Sequence, residues 1–203
     1  RQVLEVAYRS HETNRDPEPR LGYHARMPSQ GKLVLLIGPS GVGKSVILQS
    51  LRANHPELVF PRSATTRSRR EGEGDDLYHF VDDATFDAWL AQKRFLEWAQ
   101  VHKGARYGTL LDEIVPAIEA GRIVVREVDA QGFLSIRELT QFKGSSAPYR
   151  LQTVFILPES EEQLVRHIKN RAPISDEELA RRIESMRKEL ACATFTDAQV
   201  HNK

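Results

Sequence analysis

Eight consecutive residues, GPSGVGKS from Gly38 to Ser45, have the composition and spacing of a phosphate-binding loop. The glycines let the backbone curl so that successive N–H groups point at phosphate oxygens, and the N-terminus of a following helix adds partial positive charge. In such a loop Lys44 reaches the β- and γ-phosphates of a nucleoside triphosphate, and the Ser45 hydroxyl ligates Mg²⁺. A ligand-free glycine-rich turn is the weaker reading, because Lys and Ser both stand at the required offsets. The predicted nucleotide-binding residues are Gly38, Pro39, Ser40, Gly41, Val42, Gly43, Lys44 and Ser45.

A second candidate is the stretch RSATTRSRR, residues 62–70, which holds four arginines and is followed directly by EGEGDD. Such a cluster can grip nucleic acid, hold one small phosphate or remain solvated. Proteins that bind duplex nucleic acid carry an excess of basic charge over a whole face, whereas this chain has a net charge of only +1. The charge balance therefore disfavours nucleic acid as the partner.

The elements that would position these residues alternate between strand and helix. The phosphate loop follows LVLLI (33–37), a short continuous apolar run that is typical of a buried parallel strand, and it opens a predicted helix at 45–54. Alternation of this kind predicts an α/β fold with a parallel sheet and helices on both faces. The further predicted strands are 78–81, 95–101, 123–128, 153–157 and one from about Gln199. The further predicted helices are 84–92, 111–120 and one from about Gly132, with Gly121 as the C-cap of the second. Two more helices are predicted to begin on capping boxes at Ser160 and Ser175.

Composition limits the class of protein. A length of 203 residues predicts one domain, and no apolar run approaches the ~20 residues of a membrane span, which argues against a membrane partner. The single cysteine, Cys192, cannot form an internal disulfide, and no signal peptide is evident, so we expect a cytoplasmic location. RQVLEVAYRSHE (1–12) could form a short helix, whereas the following NRDPEPRLGYHARMPSQG holds three prolines and no periodicity, so residues 1–30 are predicted to be an N-terminal arm or linker.

Beyond the phosphate loop, the chain resembles the guanylate kinases. TTRSRR (65–70) followed by YHF (78–80) is similar to the family's T-T-R-x-x-R and Y-x-F segments, and FLEWAQVHKGARYGT (95–109) to its F-[IL]-E…Y-G-[ST] stretch. EVDAQG (127–132) resembles the family's D-[IV]-D-x-Q-G segment. FILPES (155–160) resembles the family's F-I-x-P-x-S segment, which ends a strand. The resemblance implies phosphorylation of GMP by ATP with Mg²⁺. It also implies a P-loop sheet in a domain at 31–203, with a GMP-binding subdomain at about 62–110 and a helical lid at about 160–190.

The same resemblance implies roles for individual residues. Arg67 and Arg70 would hold the phosphate of GMP, because arginine forks match phosphate oxygens, and EGEGDD would balance their charge when GMP is absent. Glu97 would accept hydrogen bonds from the guanine N1–H and 2-amino groups. The implied GMP-binding residues are Ser63, Arg67, Arg70, Tyr78, Glu97, Tyr107, Thr109 and Glu127, the metal site is Ser45 with Asp129, and the catalytic residues are Lys44 with the lid arginines Arg171 and Arg182.

Several features depart from the family pattern or stay open. Glu127 stands where the family has Asp, KNRAPIS (169–175) replaces an arginine–glycine run, and Arg62 and Arg69 match no motif position and are predicted to be solvated. The resemblance would continue beyond Lys203 into another helix, so the chain is either cut short or ends unusually. A homo-oligomer is compatible with the sequence, which carries no signal for it. The alternatives are a non-catalytic protein-binding relative, which would have a degraded phosphate loop, and a related kinase for another phosphorylated acceptor, which would lack TTR-x-x-R and Glu97.

Overall fold

The computed structural model describes residues 31–71, 73–100, 104–171 and 174–202, with only the backbone of Arg171 described. In this part of the chain no helix is both long and apolar enough to cross a lipid bilayer. The strands are β1 (Lys32–Ile37), β2 (Ser63–Thr65), β3 (Tyr78–Phe80), β4 (Phe95–Gln100), β5 (Arg106–Leu110), β6 (Ile123–Glu127), β7 (Arg150–Pro158) and β8 (Ala198–Asn202). The α-helices are α1 (Lys44–Asn54), α2 (Asp83–Ala91), α3 (Leu111–Glu119), α4 (Ala130–Arg137), α5 (Glu161–Arg171) and α6 (Asp176–Ala191).

The core is a parallel sheet with the strand order β6-β1-β7-β8. Strand β1 lies in its interior and is buried at every residue, as its continuous apolar run predicts. Successive side chains of β1 point to opposite faces, so Val34 and Leu36 join a cluster with α1, α5 and α6, while Leu33 and Leu35 join another with α3 and α4. The predicted parallel sheet with helices on both faces is confirmed.

A second sheet has the order β3-β2-β5-β4 and mixed strand directions. Strand β2 is parallel to β3 and antiparallel to β5, and β4 is antiparallel to β5. A small apolar cluster of Ala64, Phe86 and Leu110 packs α2 against this sheet. The strands predicted near 78–81 and 95–101 therefore do not join the parallel sheet but form this separate one, and Val101 lies outside the described residues.

Neither β2 nor β5 was predicted from the sequence. Strand β2 has only three residues, and β5 carries Gly108 at its centre, which weakens any strand pattern. The glycine is required by packing, because a Cβ at this position would lie 2.5 Å from Cδ1 of Phe95 on the neighbouring strand. This close approach brings β4 and β5 together where Glu97 and Thr109 face each other.

Helix boundaries follow the capping side chains. Ser160 and Ser175 each accept a hydrogen bond from the N–H three residues on, which confirms the two predicted N-termini. The helix predicted from about Gly132 begins earlier, at Ala130, because Oδ1 of Asp129 accepts from the Gly132 N–H at 2.7 Å. The predicted C-cap at Gly121 is one residue late: Ala120 is the C-cap, and Gly121 follows it with φ +77°.

The charged side chain of Lys32 lies inside the core sheet. Lys32 opens β1 with only 2% of its surface exposed, and its Nζ donates a 2.8 Å hydrogen bond to Oε1 of Gln152. Burial, together with the nearby charge of Arg150, lowers the pKa of Lys32 to about 8 from 10.5. The unfolded chain therefore binds more protons than the folded chain between these two pH values.

We expect the free energy of unfolding to rise as pH increases from about 8 to 10.5, because stability rises wherever the unfolded state binds more protons. The gain attributable to Lys32 is at most about 3 kcal/mol. Guanidinium unfolding at pH 7.5 and pH 10 on the wild type and Lys32→Met measures it. The pH-dependent gain should be larger in the wild type, and equal gains in both proteins would show that Lys32 titrates normally.

Candidate active site

The phosphate loop joins β1 to α1. Gly41 and Gly43 adopt φ values of +86° and +93°, a left-handed conformation that suits glycine, and Gly43 is the N-cap of α1. The N-terminus of α1 thus opens directly at Lys44, where the first N–H groups of a helix lack partners within the helix. This is the strand–loop–helix context that the motif predicted.

Two side chains distant in sequence hold the loop. Nδ2 of Asn202, in β8, donates to the carbonyl of Val42 at 2.8 Å, and Nδ1 of His167, in α5, lies 2.8 Å from the carbonyl of Gly41 and serves as its donor. A Cβ at Gly43 would come within 2.6 Å of that Asn202 Nδ2. Neither side chain was predicted from the sequence, since no motif spacing links them to the loop.

Lys44 folds over its own loop. Its Nζ donates to the carbonyls of Gly38 at 2.6 Å and Pro39 at 3.2 Å, and it lies 3.9 Å from Oε1 of Glu127. The side chain is 11% exposed, so a cation is held at the loop in a largely desolvated position. A charge held in this way acts strongly on a phosphate that enters, because less water screens it.

Glu127 lies on the phosphate-loop side of the site. Its Oε2 accepts a 3.4 Å hydrogen bond from the hydroxyl of Ser45, in addition to the contact with Lys44. The family resemblance had grouped Glu127 with the GMP-binding residues, whereas its contacts in the structure are with the loop. Asp129, predicted as a metal residue, uses Oδ1 to cap α4.

The arginine cluster is organised around Arg67. Its guanidinium donates to both carboxylate oxygens of Glu73, at 2.9 and 2.7 Å, and its Nε donates to the hydroxyl of Tyr107 at 3.0 Å. The backbone N–H of Arg70 also donates to Glu73, at 3.0 Å. These bonds, first from Arg67 and then from Arg70, lower the pKa of Glu73 to about 2. The carboxylate of Glu73 thus binds the two-pronged guanidinium group of Arg67, here called the Arg67 fork, which was predicted to bind the phosphate of GMP.

The other two arginines of the stretch form surface ion pairs. Arg62 pairs with Glu113 at 3.2 Å, and Arg69 pairs with Asp75 and lies 4.3 Å above the ring of Phe80. Both side chains are about two-fifths exposed, at 39% and 43%. They are not simply solvated, as predicted, but each has a protein partner.

Three predicted base-contacting residues meet across the second sheet. Thr109 in β5 lies opposite both Ser63 in β2 and Glu97 in β4. Ser63 and Thr109 are buried, and the hydroxyl of Thr109 donates to Oε1 of Glu97 at 2.5 Å. The NH2 atom of Arg126, a residue that sequence analysis did not single out, lies 4.0 Å from the same Oε1. A carboxylate is thus fixed between a hydroxyl donor and a cation.

One cleft of about 680 Å³ lies between the start of α1 and the second sheet, and the predicted residues Arg67, Arg70, Glu97 and Thr109 are not among those that line it. It is lined both by residues of the phosphate loop and by residues of the second sheet. Its charged or polar walls include Lys44, Ser45, Ser63, Tyr78, Tyr107, Arg126, Glu127 and Asp129. Seven of these eight side chains were predicted from sequence, whereas Arg126 was not, and the further polar lining residues Gln49, Arg52 and Asp76 were not predicted either. The cleft therefore presents cationic and hydroxyl groups from both elements, with which phosphate oxygens could pair.

Of the two predicted lid arginines, Arg182 does not line the cleft in the described part of the chain. Arg182 in α6 donates through Nε to Glu178 at 3.0 Å, one helical turn earlier, and about half of its side chain is exposed. Arg171 is the last residue of α5, and its side chain lies outside the described residues. The structure therefore leaves their predicted role in clamping the γ-phosphate as a prediction.

A family model, curated relatives and a solved structure all relate this chain to the guanylate kinases. The family model described as guanylate kinase matches residues 30–203. A guanylate kinase of Trichormus variabilis is 40% identical over 176 residues, covering 86% of this chain and 84% of the relative. A guanylate kinase of Nocardia farcinica is 40% identical over 177 residues, covering 86% and 88%. The crystal structure of guanylate kinase from Anaplasma phagocytophilum, 23% identical, has the same fold, with a TM-score of 0.61 over 86% of this chain and 78% of that one.

Proposed function

The chain belongs to the guanylate kinase family and transfers a phosphoryl group from ATP to GMP, and we propose that it does so in the cleft between the phosphate loop and the second sheet. The observation that carries this assignment of the site is the continuity of the cleft from Lys44 to Tyr78 and Tyr107. A donor triphosphate at one end and an acceptor monophosphate at the other would meet in line. The products are ADP and GDP.

The donor end rests on the phosphate loop. The backbone of Gly38–Gly43 and the N-terminus of α1 cradle the β- and γ-phosphates of ATP, and Lys44 exchanges its bonds to Gly38 and Pro39 for bonds to those oxygens. A phosphate oxygen of GMP attacks the γ-phosphorus as the bond to the bridging oxygen of ADP breaks. Lys44 balances the negative charge that moves toward ADP. Exclusion of water from the cleft favours transfer to GMP over hydrolysis.

The side chains at the loop fit a magnesium ion. Ser45 and Glu127 offer oxygen donors 3.4 Å apart, and Mg²⁺ prefers oxygen ligands that it shares with substrate phosphates. We propose that Ser45 binds the ion directly and that Glu127 orders its water ligands, with Asp129 as a further contributor at the same edge. Bound there, Mg²⁺ would supply positive charge that offsets the negative charge of the substrate phosphates.

The acceptor end rests on Arg67 and Arg70 with Tyr78 and Tyr107. Glu73 already supplies two carboxylate oxygens to the Arg67 fork, in the geometry that a phosphate would use. GMP therefore competes with Glu73 for this fork. An internal competitor lowers the apparent affinity by the fraction of molecules whose fork it occupies.

We expect opposite effects from substitutions at the two partners. Arg67→Ala should raise the KM for GMP about 10-fold or more, because it removes a charge-assisted contact, whereas Glu73→Gln should lower that KM roughly 3-fold by vacating the fork. Arg70→Ala should also raise the KM. Steady-state kinetics at saturating ATP measures these values, and Arg69→Ala serves as the control because Arg69 pairs with Asp75. A higher KM in Glu73→Gln would mean that Glu73 aligns Arg67 rather than competing with GMP.

The base is held at the second sheet. We propose that Glu97 accepts from the guanine N1–H and 2-amino groups, while Thr109 and Ser63 support it from the neighbouring strands. The hydroxyl of Thr109 and the guanidinium of Arg126 both lie against Oε1 of this carboxylate and hold it at the second sheet. Adenine presents an acceptor where guanine presents N1–H, so it would leave the carboxylate without a donor.

Neither alternative function is favoured. A non-catalytic binding relative is expected to have a degraded loop, whereas Lys44 and Ser45 are intact and lie in the cleft. A kinase for another acceptor is expected to lack the arginine pair and Glu97, and both are present. The reaction belongs to purine nucleotide metabolism, for which a cytoplasmic location and freedom from nucleic acid and membrane partners remain our predictions.

A further inference from the structure

Arg126 is an unusual residue for its position. It lies in β6 between Val124 and Val128, which both belong to the apolar cluster packed by α3 and α4. An apolar side chain would suit that face of the sheet. Instead a guanidinium is present, with 19% of its side chain exposed, and it contributes to the wall of the cleft.

The guanidinium is incompletely satisfied within the described part of the chain. Its Nε is buried and has no hydrogen-bond partner there, and its ion-pair contact with Oε1 of Glu97 is long, at 4.0 Å. Burial lowers the pKa of Arg126, and the carboxylates of Glu97 and then Glu127 oppose this shift. A buried charge of this kind is costly unless acceptors are supplied. Arg126 also lines the cleft, so a ligand bound there can offer acceptors to the accessible part of its guanidinium.

We infer that Arg126 is a base-specificity residue that donates a hydrogen bond to O6 of guanine. The inference rests on the proposed function, in which Glu97 reads the same edge of the base. Guanine carries the acceptor O6 directly beside the donor N1–H, and the site carries the donor Arg126 directly beside the acceptor Glu97. Arginine is the side chain most often used to read the O6 side of guanine, because its planar fork matches that acceptor.

The two side chains together would reject adenine at two points. Adenine places a 6-amino donor against the guanidinium and the N1 acceptor against the carboxylate, so neither protein charge would gain a hydrogen-bond partner from the base. Sites that leave their buried polar groups unpaired discriminate strongly against the wrong ligand. Arg126 therefore adds a penalty that Glu97 alone does not supply.

The test uses GMP, IMP and AMP as acceptors, since IMP keeps O6 and N1–H but lacks the 2-amino group. In Arg126→Met we expect kcat/KM to fall about 10- to 100-fold for both GMP and IMP, by the same factor, and to fall much less for AMP. The control Arg122→Met removes an exposed arginine just before β6 and should leave all three values unchanged. Thermal unfolding checks that both variants fold. If Arg126→Met does not fold, Arg126→Lys replaces it: lysine keeps a cationic donor group but not the planar fork, so kcat/KM for GMP and IMP should still fall, by less than 10- to 100-fold.

Two outcomes would overturn the inference. If Arg126 only positions Glu97, reading of the 2-amino group is lost, and the GMP preference over IMP collapses in Arg126→Met. If Arg126 only supports the fold, all three acceptors lose activity equally. Failure of the proposed function is distinguishable from both, because the wild type would then form no ADP with GMP.

Discussion

Replacing Lys44 by alanine is expected to lower kcat for phosphoryl transfer from ATP to GMP by about 100-fold or more, with a smaller change in the KM for GMP. Lys44 is the cation that the loop holds over its own carbonyls, 11% exposed and within reach of an entering phosphate. Its charge matters most when negative charge moves toward ADP, so the loss appears in the chemical step.

A matched control separates this effect from a general loss of charge. Lys143→Ala removes a lysine that pairs with Glu138 on the surface, 60% exposed, and should leave kcat unchanged. Circular dichroism should show both variants folded. Near wild-type turnover in Lys44→Ala would remove the phosphate loop from the mechanism.

The second large effect concerns the choice of base. Glu97→Gln should lower kcat/KM for GMP about 10- to 100-fold, while the value for AMP falls far less or rises. The glutamine carbonyl can still accept one guanine proton, but its amide now offers a donor to adenine N1. The substitution removes an anion that the hydroxyl of Thr109 and the guanidinium of Arg126 hold in place, so the discrimination between bases changes rather than the phosphate site.

Both acceptors must be measured on both proteins. Thr109→Ser retains the hydroxyl that donates to Glu97, so it serves as a conservative control and should preserve the GMP preference. Equal losses for GMP and AMP in Glu97→Gln would show that Glu97 supports the fold or the phosphate site and does not select the base.

The predictions from sequence were most accurate where the residues that determine the structure are adjacent in the chain. Strand β1 is buried at every residue, the loop conforms to its motif, and helix starts at Ser160 and Ser175 follow their capping hydroxyls. In these places a few adjacent residues decide the structure by themselves. The order of strand and helix then predicts the parallel core sheet.

What the sequence did not predict depends on contacts between distant residues. The short strands β2 and β5 form because they pair with neighbours, and Gly108 is required only because Phe95 packs against it. The sequence indicated that the acidic stretch containing Glu73 balances the charge of the arginines. It did not indicate that the carboxylate of Glu73 accepts two hydrogen bonds from the guanidinium of Arg67. Asn202 and Arg126 are far in sequence from the groups they approach, so no spacing rule indicates them.

The most direct test is the formation of ADP by the purified wild-type chain with ATP, Mg²⁺ and each of GMP and AMP, repeated with excess chelator. We expect ADP to form with GMP in equal amount to GDP, at a kcat/KM far above that for AMP, and to cease when Mg²⁺ is chelated. ADP formation that does not depend on GMP, or that is equally fast with AMP, would contradict a guanine-selective phosphoryl transfer in this cleft.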